Sequence, residues 1–302
     1  MSFFTEVDRR LRHSVLAKAQ PFIRARAPWL HRALLASRDV ILPFRSRHGL
    51  SRYQHRAIER FDHFSPDLPG TILEIGSDVE GGVLKELASR GRRRLIGLNI
   101  DINPAAHAGR GSGDVPSYEI IKGDVRRLPF KDNSISAILS ITAFEHVHDM
   151  DVALREMYRV LKPGGIVYSD FGPIWSCSIG HHVFAIVNGV EARHWKPGRN
   201  PVPHFAHLLM PPEALRAAVL ETAWVFPKLA DEILRWIYTG DGVNRIFYED
   251  YAKLFEASPF KVRELIPVRE HVPRDMQRQL EQSCPGHKDF SVRMVEVVLE
   301  KA

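Results

Sequence analysis

Apolar positions along the chain change rhythm near residue 70. From there, short apolar runs alternate with amphipathic stretches: Thr71 to Gly76, Leu95 to Ile100, Tyr118 to Lys122, Ile135 to Thr142 and Gly165 to Phe171 read as buried strands. Helical spacing is predicted between them, near 82–90 and over 151–161. The second helix starts at Asp151 as its cap, puts Met157, Val160 and Leu161 on one face, and stops at Lys162-Pro163-Gly164-Gly165. Strand and helix in alternation predict βαβ units and a parallel sheet. After Phe171 the rhythm breaks. It resumes with a helix over Tyr248 to Ala257 and two strands, Phe260 to Ile266 and Val292 to Leu299, placed as an antiparallel pair closing the sheet.

Composition fits that picture. A chain of 302 residues, 44% hydrophobic and 26% charged, can bury one large core or two modest ones, which excludes disordered, fibrous and disulfide-stapled classes. Two cysteines, Cys177 and Cys284, build no disulfide framework and lack the repeated pairs of a structural zinc site, so a reducing compartment is expected. No apolar run reaches the roughly 20 residues of a membrane span, and Met1 to Glu6 lack a basic-then-apolar signal pattern. The expected location is therefore cytoplasmic.

Charge adds one qualification. Residues 1–60 carry 13 Lys and Arg against Glu6, Asp8, Asp39 and Glu59, a net +9 in a chain whose total is +6. Phe22, Ile23, Trp29, Leu30, Leu34 and Leu35 lie between the arginines, and Pro21, Pro28 and Pro43 divide the segment into short helices. A basic amphipathic extension points to an anionic membrane surface at the inner face, in preference to nucleic acid. The alternative is a helical extension whose arginine stems only cover apolar surface.

Ligands of open α/β sheets bind beyond the carboxyl ends of the strands, so chemistry is sought there. Leu73-Glu74-Ile75-Gly76-Ser77-Asp78 runs from the first strand into a turn, and Gly76 lets backbone approach a ligand. Asn99 and Asp101 end the second strand, where a nucleotide-binding sheet places acceptors for ribose hydroxyls. After the third strand, Gly123-Asp124-Val125 offers a carboxylate for an exocyclic amine and an apolar neighbour for a base. After the fourth, Ile141 and Thr142 lead to a Glu145-His146 pair.

In this order and spacing the motifs resemble the class I S-adenosylmethionine-dependent methyltransferases. The strings that carry the likeness are Leu73 to Gly76, Ile96 to Ile100, Gly123 to Phe130, Phe144 to Val147, and Arg155-Glu156-Met157-Tyr158-Arg159-Val160-Leu161-Lys162-Pro163-Gly164-Gly165. The resemblance implies a Rossmann-like, doubly wound, seven-stranded and mostly parallel sheet with S-adenosylmethionine as cofactor. It implies that Glu74, Gly76 and Ser77 with Ile141 and Thr142 line the methionine side, that Asn99 or Asp101 takes the ribose, and that Asp124 with Val125 takes the adenine. Two departures stand out: Asp78 and Glu80 occupy positions where the family carries glycine, and Asn99 stands for the ribose acid. An asparagine amide oxygen can still accept a hydroxyl.

The organisation expected is a basic extension over 1–60, a core over 61–171, a helical substrate-binding lid over 172–258, and closing strands over 259–302. Gly172 to Ser176, Gly180-His181-His182 and Pro203 to Leu209, together with Leu50 to Tyr53 and Ile58 to Phe61, resemble methyltransferases of surface glycan and glycolipid assembly. This implies O-methylation of a sugar or lipid-linked glycan. A small-molecule natural product, methylated on oxygen or nitrogen, is the nearest alternative. A non-catalytic cofactor- or membrane-binding module is more distant, and a nicotinamide oxidoreductase would need a tighter glycine turn. A hydroxyl acceptor needs a base, for which His207, His182 and His146 are the candidates. Tyr53 is expected as a lid over the cofactor, Trp175 as a wall for a sugar face, and His181 and His204 as substrate contacts. The ordinary alternative is that these histidines bond backbone carbonyls and the tryptophan fills core. Cys177, His181, His182, His204 and His207 match no established metal-ligand spacing, and no metal is assigned.

Overall fold

The computed structural model describes residues 48–65, 69–92, 94–101 and 118–302. The chain divides into two units between Arg47 and His48, so most of the expected extension lies outside the described residues. The boundary expected at residue 60 falls inside helix α1, Arg52–Phe64. Ser51 and Gln54 bond each other's backbone N–H in a capping box that fixes the start of α1, and Ala57, Ile58 and Phe61 are buried.

The core follows as β1 (Thr71–Ile75), α2 (Gly82–Ser89), β2 (Arg94–Asn99), β3 (Tyr118–Lys122), β4 (Ile135–Ile141), α3 (Met150–Val160) and β5 (Leu161–Phe171). The closing elements are α7 (Tyr248–Ala257), β8 (Lys261–Arg269), α8 (Arg274–Ser283) and β9 (Val292–Glu300). The sheet order is β3-β2-β1-β4-β5-β9-β8, with β1 to β5 parallel and β9 antiparallel to both of its neighbours. Strand order reverses between β1 and β4, the position where an open α/β sheet leaves a crevice. Apolar clusters cover both faces. Ile58 and Phe61 of α1 pack with Leu84 and Leu87 of α2 on one side, and Leu154 and Met157 of α3 with Tyr251 and Phe255 of α7 on the other.

Two local expectations are corrected. Helix α3 begins at Met150, after Asp149 in a left-handed conformation with no side-chain cap; Asp151 instead pairs with Arg155 one turn along at 2.8 Å. Strand β5 begins at Leu161, because Leu161 pairs with Ile135 and a register shift absorbs the next four residues before Ile166 meets Ala137.

The segment after β5 is not purely helical. It holds a hairpin of β6 (Phe184–Val187) and β7 (Val190–Arg193), then α4 (Ala206–Leu209), α5 (Pro212–Leu220) and α6 (Pro227–Leu234). Val183, Leu215, Val219, Leu229, Ile233 and Ile237 form its own apolar core. Helix α7, expected within the lid, packs on the main sheet through Tyr251 and Phe255. Helix α8 writes little apolar pattern into the sequence: it buries only Leu280, which meets Phe205 and Phe290. Among the described residues no helix is long and apolar enough to cross a membrane.

Candidate active site

A cleft of about 300 Å³ opens at the carboxyl ends of β1, β2, β3 and β4. Gly76 forms its floor at φ +82°, and a β-carbon there would come within 2.5 Å of the Ala143 side chain, so the turn admits only glycine. Below it the turn is braced from beneath. Ser77 is buried with its hydroxyl donating to Glu74 at 2.8 Å, and Gly97 leaves room for it, since a β-carbon on Gly97 would meet Ser77 Oγ at 2.6 Å. Glu74 and Ser77 therefore support the turn from within and do not line the cleft. Asp78 stands where the family has glycine, and its carboxylate accepts from Glu80 N at 2.8 Å, closing the loop with a side chain.

Asn99, Asp101, Asp124, Val125 and Thr142 all line the cleft, whereas Ile141 is buried beneath it. Asn99 is already committed: its amide donates to Ser77 O at 2.8 Å and its oxygen accepts from Asp101 N at 2.9 Å. Among the described residues no hydrogen-bond partner engages the Asp101 carboxylate. Asp124 accepts from the Arg126 backbone at 2.9 Å and from its guanidinium at 2.6 to 3.1 Å. These bonds hold the Asp124 carboxyl below the usual carboxylate range. Arg126 also reaches Asp149 at 2.8 Å, so an arginine stands at the cleft rim beside Asp124 that the motif alone does not announce.

The opposite end of the cleft belongs to a short 3₁₀ turn, Phe144–His146, which carries Ala143, His146, Val147 and His148 along the wall. That turn is pinned from almost a hundred residues away. Asn244 donates to Phe144 O at 2.7 Å and Val147 O at 3.0 Å, its backbone N–H donates to Glu145 O, His146 Nδ1 donates to Gly242 O, and His148 Nε2 bonds Asp241 O at 2.7 Å. With its Nδ1 hydrogen spent on a carbonyl, neutral His146 keeps a lone pair on Nε2. Desolvation pulls its pKa below the ordinary histidine value and the Gly242 carbonyl opposes this.

Behind His146 lies a run of packed imidazoles. His182 meets His146 with ring centroids 5.0 Å apart and His194 at 4.6 Å, while His181 meets His207 at 5.5 Å. Burial pulls His181 and His182 well below the ordinary histidine value and takes His194 and His207 down to about 4. Of the three base candidates, then, only His146 borders the cleft. His182 stands one ring behind it, and His207 is buried deeper with Nε2 on Trp175 O at 2.8 Å. Trp175 packs edge-on to His207, His204 is exposed, and the Tyr53 hydroxyl donates to Asp170 O at 2.7 Å; none of these, nor His181, borders the cleft. Glu145 is buried, with one oxygen accepting from Gly172 N at 3.1 Å, and burial lifts its carboxyl to about 8.

The family model of the methyltransferase domain matches residues 73–169, which span β1 to β5 and every cleft-lining residue. Residues 73–169 form a methyltransferase domain. It is of the S-adenosylmethionine-dependent class, and S-adenosylmethionine is its cofactor. Among curated proteins, the sterol 24-C-methyltransferase erg6 of Aspergillus fumigatus is 31% identical over 120 residues, 37% of this chain and 32% of that protein. The demethylmenaquinone methyltransferase of Streptomyces avermitilis is 26% identical over 213 residues, 63% of this chain and 84% of that protein. The chain spans about a third of the length of the sterol methyltransferases it matches. A solved S-adenosylmethionine-dependent methyltransferase from Mesorhizobium loti superposes with a TM-score of 0.48 at 13% identity, covering 80% of this chain and 96% of that one.

The methyltransferase domain has the donor set this cofactor needs. The Gly76 turn offers close backbone, the Asp101 carboxylate at the end of β2 is an acceptor of the kind ribose hydroxyls require, Asp124 retains acceptor lone pairs beyond those Arg126 uses, and Val125 offers an apolar surface.

Proposed function

We propose that the chain methylates a hydroxyl of a sugar or lipid-linked glycan, activated at His146. S-adenosylmethionine, when bound, supplies a methyl group on a positively charged sulfur. Gly76, Asp101 and Asp124 hold it along the strand ends, which leaves the acceptor the end of the cleft walled by Ala143, His146, Val147 and His148. The observation that carries this reading is the His146 ring, fixed by Gly242 through Nδ1 with its second nitrogen on the cleft side of the turn. A neutral hydroxyl is a poor nucleophile and needs such a group, whereas a carbon acceptor with a reactive double bond does not need one at the point of attack. The insertion over 172–247 meets the His146 wall through His182 and carries Phe184 and Trp195 stacked 5.9 Å apart and partly exposed.

The test is transfer of labelled methyl from S-adenosylmethionine to glycan and glycolipid hydroxyls. His146→Ala should lower turnover by about 10²-fold with S-adenosylhomocysteine affinity retained. Asp101→Ala should weaken S-adenosylhomocysteine binding by about 1 to 3 kcal/mol in calorimetry. Transfer to quinone or sterol carbon, with none to hydroxyls, would overturn the acceptor assignment.

A further inference from the structure

Glu145, His146 and His182 each offer one ligand atom, and these atoms lie within 4.8 Å of one another. Two of the residues come from the 3₁₀ turn after β4 and the third from the insertion, some 36 residues on, where His182 takes a left-handed φ of +48°. That conformation is uncommon outside glycine and is kept where the surroundings demand it. The remaining atoms of all three are engaged by backbone. His146 Nδ1 bonds Gly242 O, His182 Nε2 bonds Pro173 O, and Glu145 Oε1 accepts from Gly172 N at 3.1 Å. Both imidazoles thus spend their N–H on a carbonyl, which leaves His146 Nε2 and His182 Nδ1 as lone-pair donors. Outer bonds of this kind set the tautomer of metal-ligating histidines. Glu145 Oε2 is buried with no hydrogen-bond partner. A buried carboxylate oxygen left without a partner is costly, and a cation is one group that would complete it.

We infer that Glu145, His146 and His182 bind one divalent first-row transition-metal ion. Two imidazoles and one carboxylate with a position left over is the ligand set of an open zinc-type site, and borderline nitrogen donors disfavour magnesium and calcium. Ligand bonds of about 2.0 to 2.2 Å require the three atoms to draw together by roughly an ångström, within reach of small side-chain rotations. Because His146 borders the cleft, the open position faces the acceptor end. For what the ion does there the inference rests on the hydroxyl reading above, with the His146 Nε2 lone pair given to the ion in place of serving as the base: the acceptor oxygen takes the open position, its O–H is polarised, and its proton leaves to water at the cleft mouth as the oxygen takes the methyl group.

The full-length protein, stripped with a chelator and dialysed, is titrated with Co²⁺ while visible absorption is followed, and Zn²⁺ is then added as competitor. One equivalent of Co²⁺ with nitrogen and oxygen ligation, displaced by Zn²⁺, is expected. Glu145→Gln, which keeps the acceptor for Gly172 N–H, and His182→Ala should each weaken Co²⁺ binding at least 10-fold, with S-adenosylhomocysteine binding as the check on folding. Absence of stoichiometric Co²⁺ binding in the wild type, or equal binding in the Glu145→Gln protein, overturns the inference. The acceptor reading fails separately, as a metal-loaded protein that transfers no methyl to hydroxyls. Turnover divides the roles: a lone base makes only the His146 variant slow, whereas a metal ligand set makes all three slow.

Discussion

Glu74 shows how one residue at the base of the glycine turn joins stability to pH. Its side chain is buried, accepts the Ser77 hydroxyl, and has its pKa lifted to about 8 by burial, with Ser77 pulling it down and Asp78 pushing it up. In the unfolded chain the value is about 4.3. Between these two the folded protein holds a proton that the unfolded chain has released, so this residue's contribution is most favourable near pH 4 and is lost as pH rises toward 8. Glu74→Gln keeps the acceptor for Ser77 and cannot ionise. It should melt several degrees higher than wild type at pH 8, at roughly 2 to 4 °C for each kcal/mol gained, with the difference closing toward pH 5. An equal difference at both pH values, followed by circular dichroism, would show that Glu74 is not held protonated by its burial.

At the scale of elements, the 3₁₀ turn that carries Glu145 and His146 is held by a strap, residues 241–244, and Asn244 is its main fastening. Besides its two bonds to carbonyls of the turn, its Oδ1 accepts from the Tyr251 hydroxyl at 2.9 Å, linking the turn to α7. Asn244→Ala leaves the Phe144 and Val147 carbonyls short of a donor, at a cost of about 1 to 3 kcal/mol. It should also let His146 drift, lowering kcat on the order of 10-fold or more while S-adenosylhomocysteine affinity stays near wild type. Wild-type kcat in a variant with a lowered Tm would make the strap structural only. This strap also marks the limit of what the sequence discloses. The core strands are legible as short continuous apolar runs and α7 by its period of 3.6, and the candidate cofactor acceptors follow because they sit at the carboxyl ends of strands. That Asn99 is spent on Ser77 and Asp101 is not depends on side-chain direction, which period does not encode. The meeting of His182 with His146, and of Gly242 with both the turn and its base, joins segments through an insertion without regular rhythm, so neither spacing nor motif could announce it.

For the whole molecule, charge is the property that distinguishes its two units. Residues 1–47 hold ten Lys and Arg against three acids, while the unit from His48 onward, with the cleft, is close to neutral overall. If the acceptor is lipid-linked, as proposed, an attraction to anionic headgroups brings the enzyme to its substrate. Each Lys or Arg near such a surface contributes about 1 kcal/mol at most, so ten suffice for firm but salt-sensitive binding. The full-length protein should therefore sediment with phosphatidylglycerol vesicles at low ionic strength, remain in solution with phosphatidylcholine alone, and release as salt shortens the screening length from about 30 Å at 0.01 M to about 8 Å at 0.15 M. Removal of residues 1–47 should abolish sedimentation and leave S-adenosylhomocysteine binding unchanged, since every cleft-lining residue lies beyond Ile72. A truncated protein that still sediments would transfer the attraction to the second unit, where Phe184, Ile186 and Trp195 expose apolar surface. Vesicle binding insensitive to salt would point the same way, because apolar insertion, unlike ion attraction, is not screened.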